Sequence, residues 1–175
     1  MGAIIPETGT LIKVEVNTDN IDKSINIVNN NPIFAPVNDI LNEIKTKIID
    51  GAERVAESAS EKLKNYQELW IIQNKSIDTS QMVSTIFIEP VSNLEYEVGA
   101  TALSETGFPY PIVIEEGSNP YVIEGDPYLY WEGADHPVKR VHHPGIKARP
   151  FVAPALDNLE KDISKIAQIE ITSKL

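Results

Sequence analysis

One stretch of sequence, residues 142–157, decides how the C-terminal part of the chain folds, and it reads HHPGIKARPFVAPALD. Pro144 and Gly145 predict a tight reversal of the backbone, because proline presets its own φ and glycine tolerates a positive φ. Pro150 restricts the preceding residue, Arg149, to an extended conformation. The stretch therefore predicts a strand that ends at a turn and is followed by an extended segment.

The second half of the same stretch predicts the start of a helix next to an anchoring aromatic side chain. Pro154 suits the first position of a helix, where a backbone N–H would have no partner inside the helix. From there to about residue 168, apolar residues recur at helical spacing and form one inward face. That face comprises Leu156, Leu159, Ile163 and Ile166. We expect Phe151, just before this helix, to be buried.

The N-terminal part of the chain predicts a strand and a long helix. Residues 10–16 alternate between apolar and polar side chains, which is typical of a half-buried strand. Residues 36–66 repeat apolar side chains every three or four positions, which predicts a long helix in which Gly51 could mark a bend. A shorter helical pattern covers residues 19–29.

The middle of the chain predicts several short strands. Strand-like segments cover residues 70–73, 83–91, 94–100 and 138–142. Asp78 is placed to cap a single helical turn before the second of them. Two aromatic segments, residues 121–123 and 128–131, predict a hairpin turned by residues 124–127. Residues 108–116 fit a helix or a strand.

The order of these elements predicts an α+β fold in a single domain over residues 1–175. We expect an N-terminal strand and long helix, an antiparallel sheet of several strands and a C-terminal amphipathic helix. A chain of 175 residues is long enough for one well-buried core.

The distribution of charge along the sequence bears on whether the protein binds nucleic acid. The net charge of -11 arises entirely between residues 76 and 138, where eleven acidic residues occur without a lysine or arginine. Such a segment argues against phosphate binding, so we expect no sequence-specific nucleic-acid binding. Two interpretations remain: a solvated sheet face, or one face of an assembly that must not adhere to DNA.

The composition also indicates the cellular compartment in which the protein is made. No apolar run approaches the roughly 20 residues that span a bilayer, and the N-terminus lacks the pattern of a signal peptide. Cysteine is absent, which removes thiolate ligands, thiol nucleophiles and disulfides. We therefore expect that the protein does not associate with a membrane. We also expect that it is made in a reducing cytoplasm.

Three histidines and a carboxylate suggest a metal site as one alternative. Asp135, His136, His142 and His143 lie within nine residues, and imidazole and carboxylate groups are ligands of zinc and iron. Adjacent histidines on a strand point to opposite faces, however, and no helical His-x-x-x-His pair is present. The sequence favours turn and interface histidines, and no cofactor and no enzymatic activity are expected.

Three segments carry a resemblance to a known family. They are residues 78–86 (DTSQMVSTI), residues 110–118 (YPIVIEEGS) and the run that begins with His143, Pro144 and Gly145. In order and spacing, residues 76–160 resemble the HK97-type gene-product-ten proteins, which act in head–tail joining and tail completion of long-tailed viruses. Ser80 stands where that family usually has glycine, and residues 121–135 lengthen the gap between the last two segments. The resemblance favours a short helix for residues 110–116.

The resemblance implies a structural virion protein of the neck or tail, made in the host cytoplasm. Its expected partners are identical subunits in a ring and the neighbouring connector, tail-terminator and tail-tube proteins. Within the same class the alternative is a tail-terminator ring subunit. From other classes, the alternatives are a metal-dependent hydrolase that uses His136, His142 and His143, and a small adaptor that binds a host protein.

Two sets of residues follow from this interpretation. Subunit or partner contacts are expected at His143, Pro144, Gly145, Lys147 and Arg149. A channel-lining or acidic face is expected at Glu115, Glu116, Glu124, Asp126, Glu132 and Asp135. A basic corner beside an acidic segment is self-complementary in a ring, where each subunit offers different surfaces to its two neighbours.

Overall fold

The computed structural model describes residues 10–20, 23, 38–75, 81–104 and 107–173. In chain order the elements are β1 (Thr10–Glu15), α1 (Asn38–Gln73), α2 (Gln81–Ser84), β2 (Ile86–Ser92), β3 (Glu95–Ala100), α3 (Tyr110–Glu116), β4 (Tyr121–Leu129), β5 (Val138–His143) and α4 (Val152–Thr172). This order confirms the predicted α+β fold, with its N-terminal strand, long helix and C-terminal helix. Within these residues, no helix combines the length and apolarity that crossing a bilayer requires.

β1, β3 and β2 form an antiparallel sheet in that spatial order. Ile12 and Val14 alternate with polar residues on β1, and each is only 2% exposed. They pair with Val98 and Tyr96 on the central strand. Because alternate residues of a strand share a face, the sheet has one apolar side, and it packs against α1.

The two long helices pack side by side and run antiparallel. Gly51 of α1 lies against Ile171 near the end of α4, whereas Tyr66 of α1 donates a hydrogen bond to Asp162 earlier in α4. A Cβ atom on Gly51 would lie 3.3 Å from the Cα atom of Ile171. The glycine thus belongs to a continuous helix and permits close contact between the helices.

The structure corrects the boundaries of both helices. The predicted strand at residues 70–73 is wrong, because α1 continues to Gln73. Leu63, Gln67 and Ile71 follow at intervals of four residues and are all fully buried, so the inward helical face extends through the aromatic and β-branched segment. α4 begins at Val152, which makes Pro154 its third residue, and it continues to Thr172.

The predicted hairpin within residues 121–131 is also wrong. Residues 121–129 form a single strand, β4, which pairs antiparallel with β5. Glu124 pairs with Arg140 and Leu129 pairs with Val138, so four residues of β4 lie opposite one residue of β5. The glycine and proline that predict a turn form an irregularity within the strand, since a bulge needs the same backbone freedom as a turn.

The remaining expectations have three different outcomes. Residues 81–84 form the expected helical turn, and residues 110–116 form the short helix that the family resemblance favours. The predicted strand at residues 83–91 begins only at Ile86. Asp78 and most of the helix predicted over residues 19–29 lie outside the described residues.

Candidate functional site

Two of the segments that carry the family resemblance meet in the structure. We call residues 144–153 the corner, and residues 114–118 run alongside it. Ser118 and Ile146 exchange two backbone hydrogen bonds, of 2.8 and 3.1 Å, and the N–H of Arg149 donates to the carbonyl oxygen of Ile114 at 2.7 Å. These bonds link residues about 30 positions apart in sequence. We call this contact between residues 114–118 and the corner the joint.

Glu115 supplies the N-terminal cap of α4 from a distant part of the chain. Its carboxylate accepts hydrogen bonds from the backbone N–H groups of Phe151 at 2.7 Å, Val152 at 2.9 Å and Ala153 at 3.1 Å. The next residue, Pro154, has no N–H to satisfy. The first N–H groups of a helix have no partner within it, and its N-terminus is electropositive, so this carboxylate provides both hydrogen bonds and charge.

Two glycines let the backbones of this joint approach each other. Gly117 and Gly145 have φ values of +78° and +85°. A Cβ atom on Gly117 would lie 2.6 Å from the carbonyl oxygen of Ile146, and one on Gly145 would overlap the carbonyl oxygen of Ser118. Positive φ and the lack of space together explain glycine at both positions.

The corner also contacts the C-terminal end of α1. The guanidinium group of Arg149 donates to the carbonyl oxygen of Lys75 at 3.2 Å, and the side-chain amide of Asn74 donates to the carbonyl oxygen of Pro150 at 3.0 Å. A cation at the end of a helix is favourable because the last carbonyl groups are electronegative. Lys147 is exposed, and it forms no ion pair with the described residues.

Between the two halves of this joint, residues 121–143 extend as an arm. Among the described elements, β4 and β5 pack substantially only against each other. Exposed large side chains are concentrated along this arm: Tyr121, Val122, Tyr128, Tyr130 and Trp131. The Tyr121 and His143 rings stack with centroids 4.7 Å apart. Exposed large apolar side chains that are concentrated in one part of a fold are typical of an interaction surface.

The three histidines occupy different environments. His142 and His143 are neighbours on β5 and therefore project to opposite faces, and His136 is exposed in the connection between the strands. The Nδ1 atom of His143 accepts a hydrogen bond from the N–H of Gly145 at 3.1 Å. The described residues contain no group of three or more histidine, aspartate or glutamate side chains arranged to hold a metal ion.

The six acidic residues of the predicted acidic face divide into two kinds. Five are exposed, and these are Glu116, Glu124, Asp126, Glu132 and Asp135. Glu124 lies 3.8 Å from Arg140 on the paired strand. Glu115 differs, because its half-buried carboxylate is committed to the helix cap within the chain.

Sequence reasoning missed the capping role of Glu115. A signal did exist, because residues 150–153 read PFVA and contain no serine, threonine, aspartate or asparagine to cap the following helix. The N-cap residue, Phe151, indeed provides no side-chain hydrogen bond to the helix. The missing local cap indicates that a distant group must satisfy these N–H groups, although it does not identify Glu115.

No protein-family profile matches the chain, and no significant match exists among curated proteins or solved structures.

Proposed function

We propose that this chain is a structural virion protein of the neck of a long-tailed virus or prophage. In this proposal it is a tail-completion or head–tail joining factor that acts by assembly. Its partners are identical subunits in a ring and the neighbouring connector, tail-terminator or tail-tube proteins.

One observation carries the proposal. The residue types that produce the family resemblance, at residues 115–118 and 143–151, are those that the joint between α3 and the corner requires. Gly117 and Gly145 permit the close backbone approach, and Glu115 caps α4. A motif with these roles shapes a rigid scaffold, which is what an assembly protein needs to present surfaces in fixed directions.

The surfaces around this joint have opposite charge. The arm and its connection carry four of the exposed acids against two basic residues, Lys139 and Arg140, whereas the corner carries Lys147 and Arg149 and no acid. Acidic groups that border a DNA passage repel phosphates and leave the duplex free to slide. Lys147 belongs in this proposal at a subunit contact, where salt weakens the interaction by screening.

Deletion of the gene from the viral or prophage genome tests the proposal. We expect filled heads and formed tails that fail to join, or tails with abnormal ends, as seen by electron microscopy of lysates. Complementation with the wild-type gene should restore joined particles. Normal yields of infectious particles from a clean deletion would contradict the proposal.

A second measurement locates the acidic residues. In a cryo-electron microscopy reconstruction of the neck, we expect some of Glu116, Glu124, Asp126, Glu132 and Asp135 to face the channel and Lys147 to lie between subunits. Acidic residues confined to the outer surface, with Lys147 in the channel, would contradict this arrangement.

A further inference from the structure

The two faces of the arm differ in chemistry. Backbone pairing places Tyr121 opposite His143 and Ile123 opposite Val141, and the amino group of Lys139 lies 6.0 Å from the centroid of the Tyr128 ring. We call this the aromatic face, formed by Tyr121, Ile123, Tyr128, Lys139, Val141 and His143. Arg140 and its ion-pair partner Glu124 lie on the opposite face. The aromatic face is thus apolar with one cation.

Part of this aromatic face is open to solvent: Ile123, Val141 and His143 are half-buried, whereas both tyrosine rings and Lys139 are exposed. Tyr121 is 46% exposed and Tyr128 is 56% exposed, although tyrosine rings are commonly buried at interfaces. A two-stranded hairpin is at best marginally stable in water unless a surface supports it. The two strands of the arm pack substantially only against each other among the described elements, so we expect a further surface to support them.

A groove along α4 has complementary properties. Its volume is about 410 Å³, and its described lining residues are Leu156, Asp157, Leu159, Glu160 and Ile163. The three apolar side chains provide the floor and the two carboxylates are anionic. Neither Asp157 nor Glu160 has an ion-pair partner among the described residues. The volume lies within the range of about 300–1,000 Å³ that is typical of binding pockets.

We propose that the aromatic face of the arm binds the α4 groove of a second copy of this chain. Aromatic rings of one copy pack on the apolar floor, and Lys139 pairs with Asp157 or Glu160 of the other. The aromatic face is apolar with one cation and the groove is apolar with two carboxylates, and this complementarity selects a second copy as the occupant.

The arrangement has a consequence for symmetry. The arm and the groove are different surfaces, so the contact is head-to-tail, and repeated rotation can close a ring. The inference deepens the proposed function by naming the two surfaces that join the ring subunits, and in that respect it rests on that function. Binding between copies can nevertheless be measured on the purified chain without any virus.

Sedimentation velocity of the full-length protein across micromolar to millimolar concentrations tests the inference. We expect wild-type protein to self-associate, and Lys139→Glu to weaken the association about tenfold or more, because it places two anions against each other. Tyr128→Ala should weaken it by a similar factor through lost packing. Arg140→Glu is the matched control, since it changes the same charge on the opposite face of the same strand.

A charge exchange distinguishes the proposed contact from a general loss of folding. Lys139→Glu is combined in turn with Glu160→Lys and with Asp157→Lys. One of the two double variants should regain most of the association that Lys139→Glu loses, while circular dichroism shows unchanged folding. A monomeric wild-type protein, equal effects of Lys139→Glu and Arg140→Glu, or failure of both exchanges to restore association would overturn the inference. These results would leave the deletion phenotype, and with it the proposed function, as a separate question.

Discussion

The carboxylate of Glu115 accepts a hydrogen bond from the backbone N–H of Phe151 at 2.7 Å, although the two residues are 36 positions apart. The same oxygen atom accepts a second bond from Val152. The first turn of α4 is therefore capped by a residue of α3. The cap therefore connects α3 and the base of the arm to the corner and to the fully buried Phe151 ring.

Replacement of Glu115 should destabilise the fold. Glu115→Ala leaves the first N–H groups of α4 without their acceptor, so we expect the free energy of unfolding to fall by about 1–3 kcal/mol. Glu116→Ala removes an exposed neighbouring carboxylate and should change it by about 0.5 kcal/mol or less. Urea denaturation of both variants gives the comparison, and equal effects would contradict the capping role.

Gly145 should be far less tolerant than a glycine of similar φ in open space. Gly133 has φ +88° and nothing within 4 Å of an added Cβ, so Gly133→Ala should cost only the strain of positive φ, about 1–2 kcal/mol. Gly145→Ala adds a clash with Ser118 and should cost about 1–3 kcal/mol more. The two melting temperatures measure the difference, and similar values would show that the joint can relax.

Truncation of Phe151 should remove a principal core contact. The ring is fully buried, so Phe151→Ala should lower the free energy of unfolding by about 3–5 kcal/mol. Phe108, which is 54% exposed, is the matched control, and its replacement by alanine should cost about 1 kcal/mol or less. An unchanged denaturation midpoint for Phe151→Ala would contradict its place in the core.

The Tyr66–Asp162 pair should make the stability of the packed helices depend on pH in the alkaline range. The hydrogen bond to Asp162, with a contribution from burial, raises the pKa of Tyr66 above its ordinary value of 10.0. The folded state then keeps this proton where the unfolded chain loses it. The contribution is fully present below about pH 10 and is lost as the pH rises through the folded pKa.

Tyr66→Phe isolates this contribution. The variant should lose less stability than wild type when urea denaturation is repeated from neutral pH to above about pH 10. Asp162→Asn should reduce the same pH dependence, because it removes the largest cause of the pKa shift. Parallel pH profiles for wild type and Tyr66→Phe would contradict the assignment.

The histidines should not bind metal as a group. Because His142 and His143 project from opposite faces of β5, we expect elemental analysis of purified protein to find no stoichiometric zinc or iron. One tightly held metal ion per chain, lost in His142→Ala, would contradict this expectation and would favour the metal-dependent alternative.

Patterns of side chains along the chain were enough to predict the order of the main elements and much of the core. Alternation on β1 predicts the burial of Ile12 and Val14, and the proline–glycine pair predicts the turn that Gly145 makes with its positive φ. The burial of Phe151 was likewise predictable. These features depend on side-chain periodicity and backbone dihedral preferences, both of which act over a few residues.

The contacts between distant segments could not be predicted in this way. Gly125 and Pro127 are as compatible with a bulge as with a turn. The pairing of β4 with β5 selects the bulge. The aromatic and β-branched residues 70–73 favour a strand locally, but burial of Ile71 on the core face of α1 makes them helical. Glu115 is one of eleven acids in its segment, and only its position beside the first N–H groups of α4 makes it a cap, because a hydrogen bond requires proximity that no local pattern encodes.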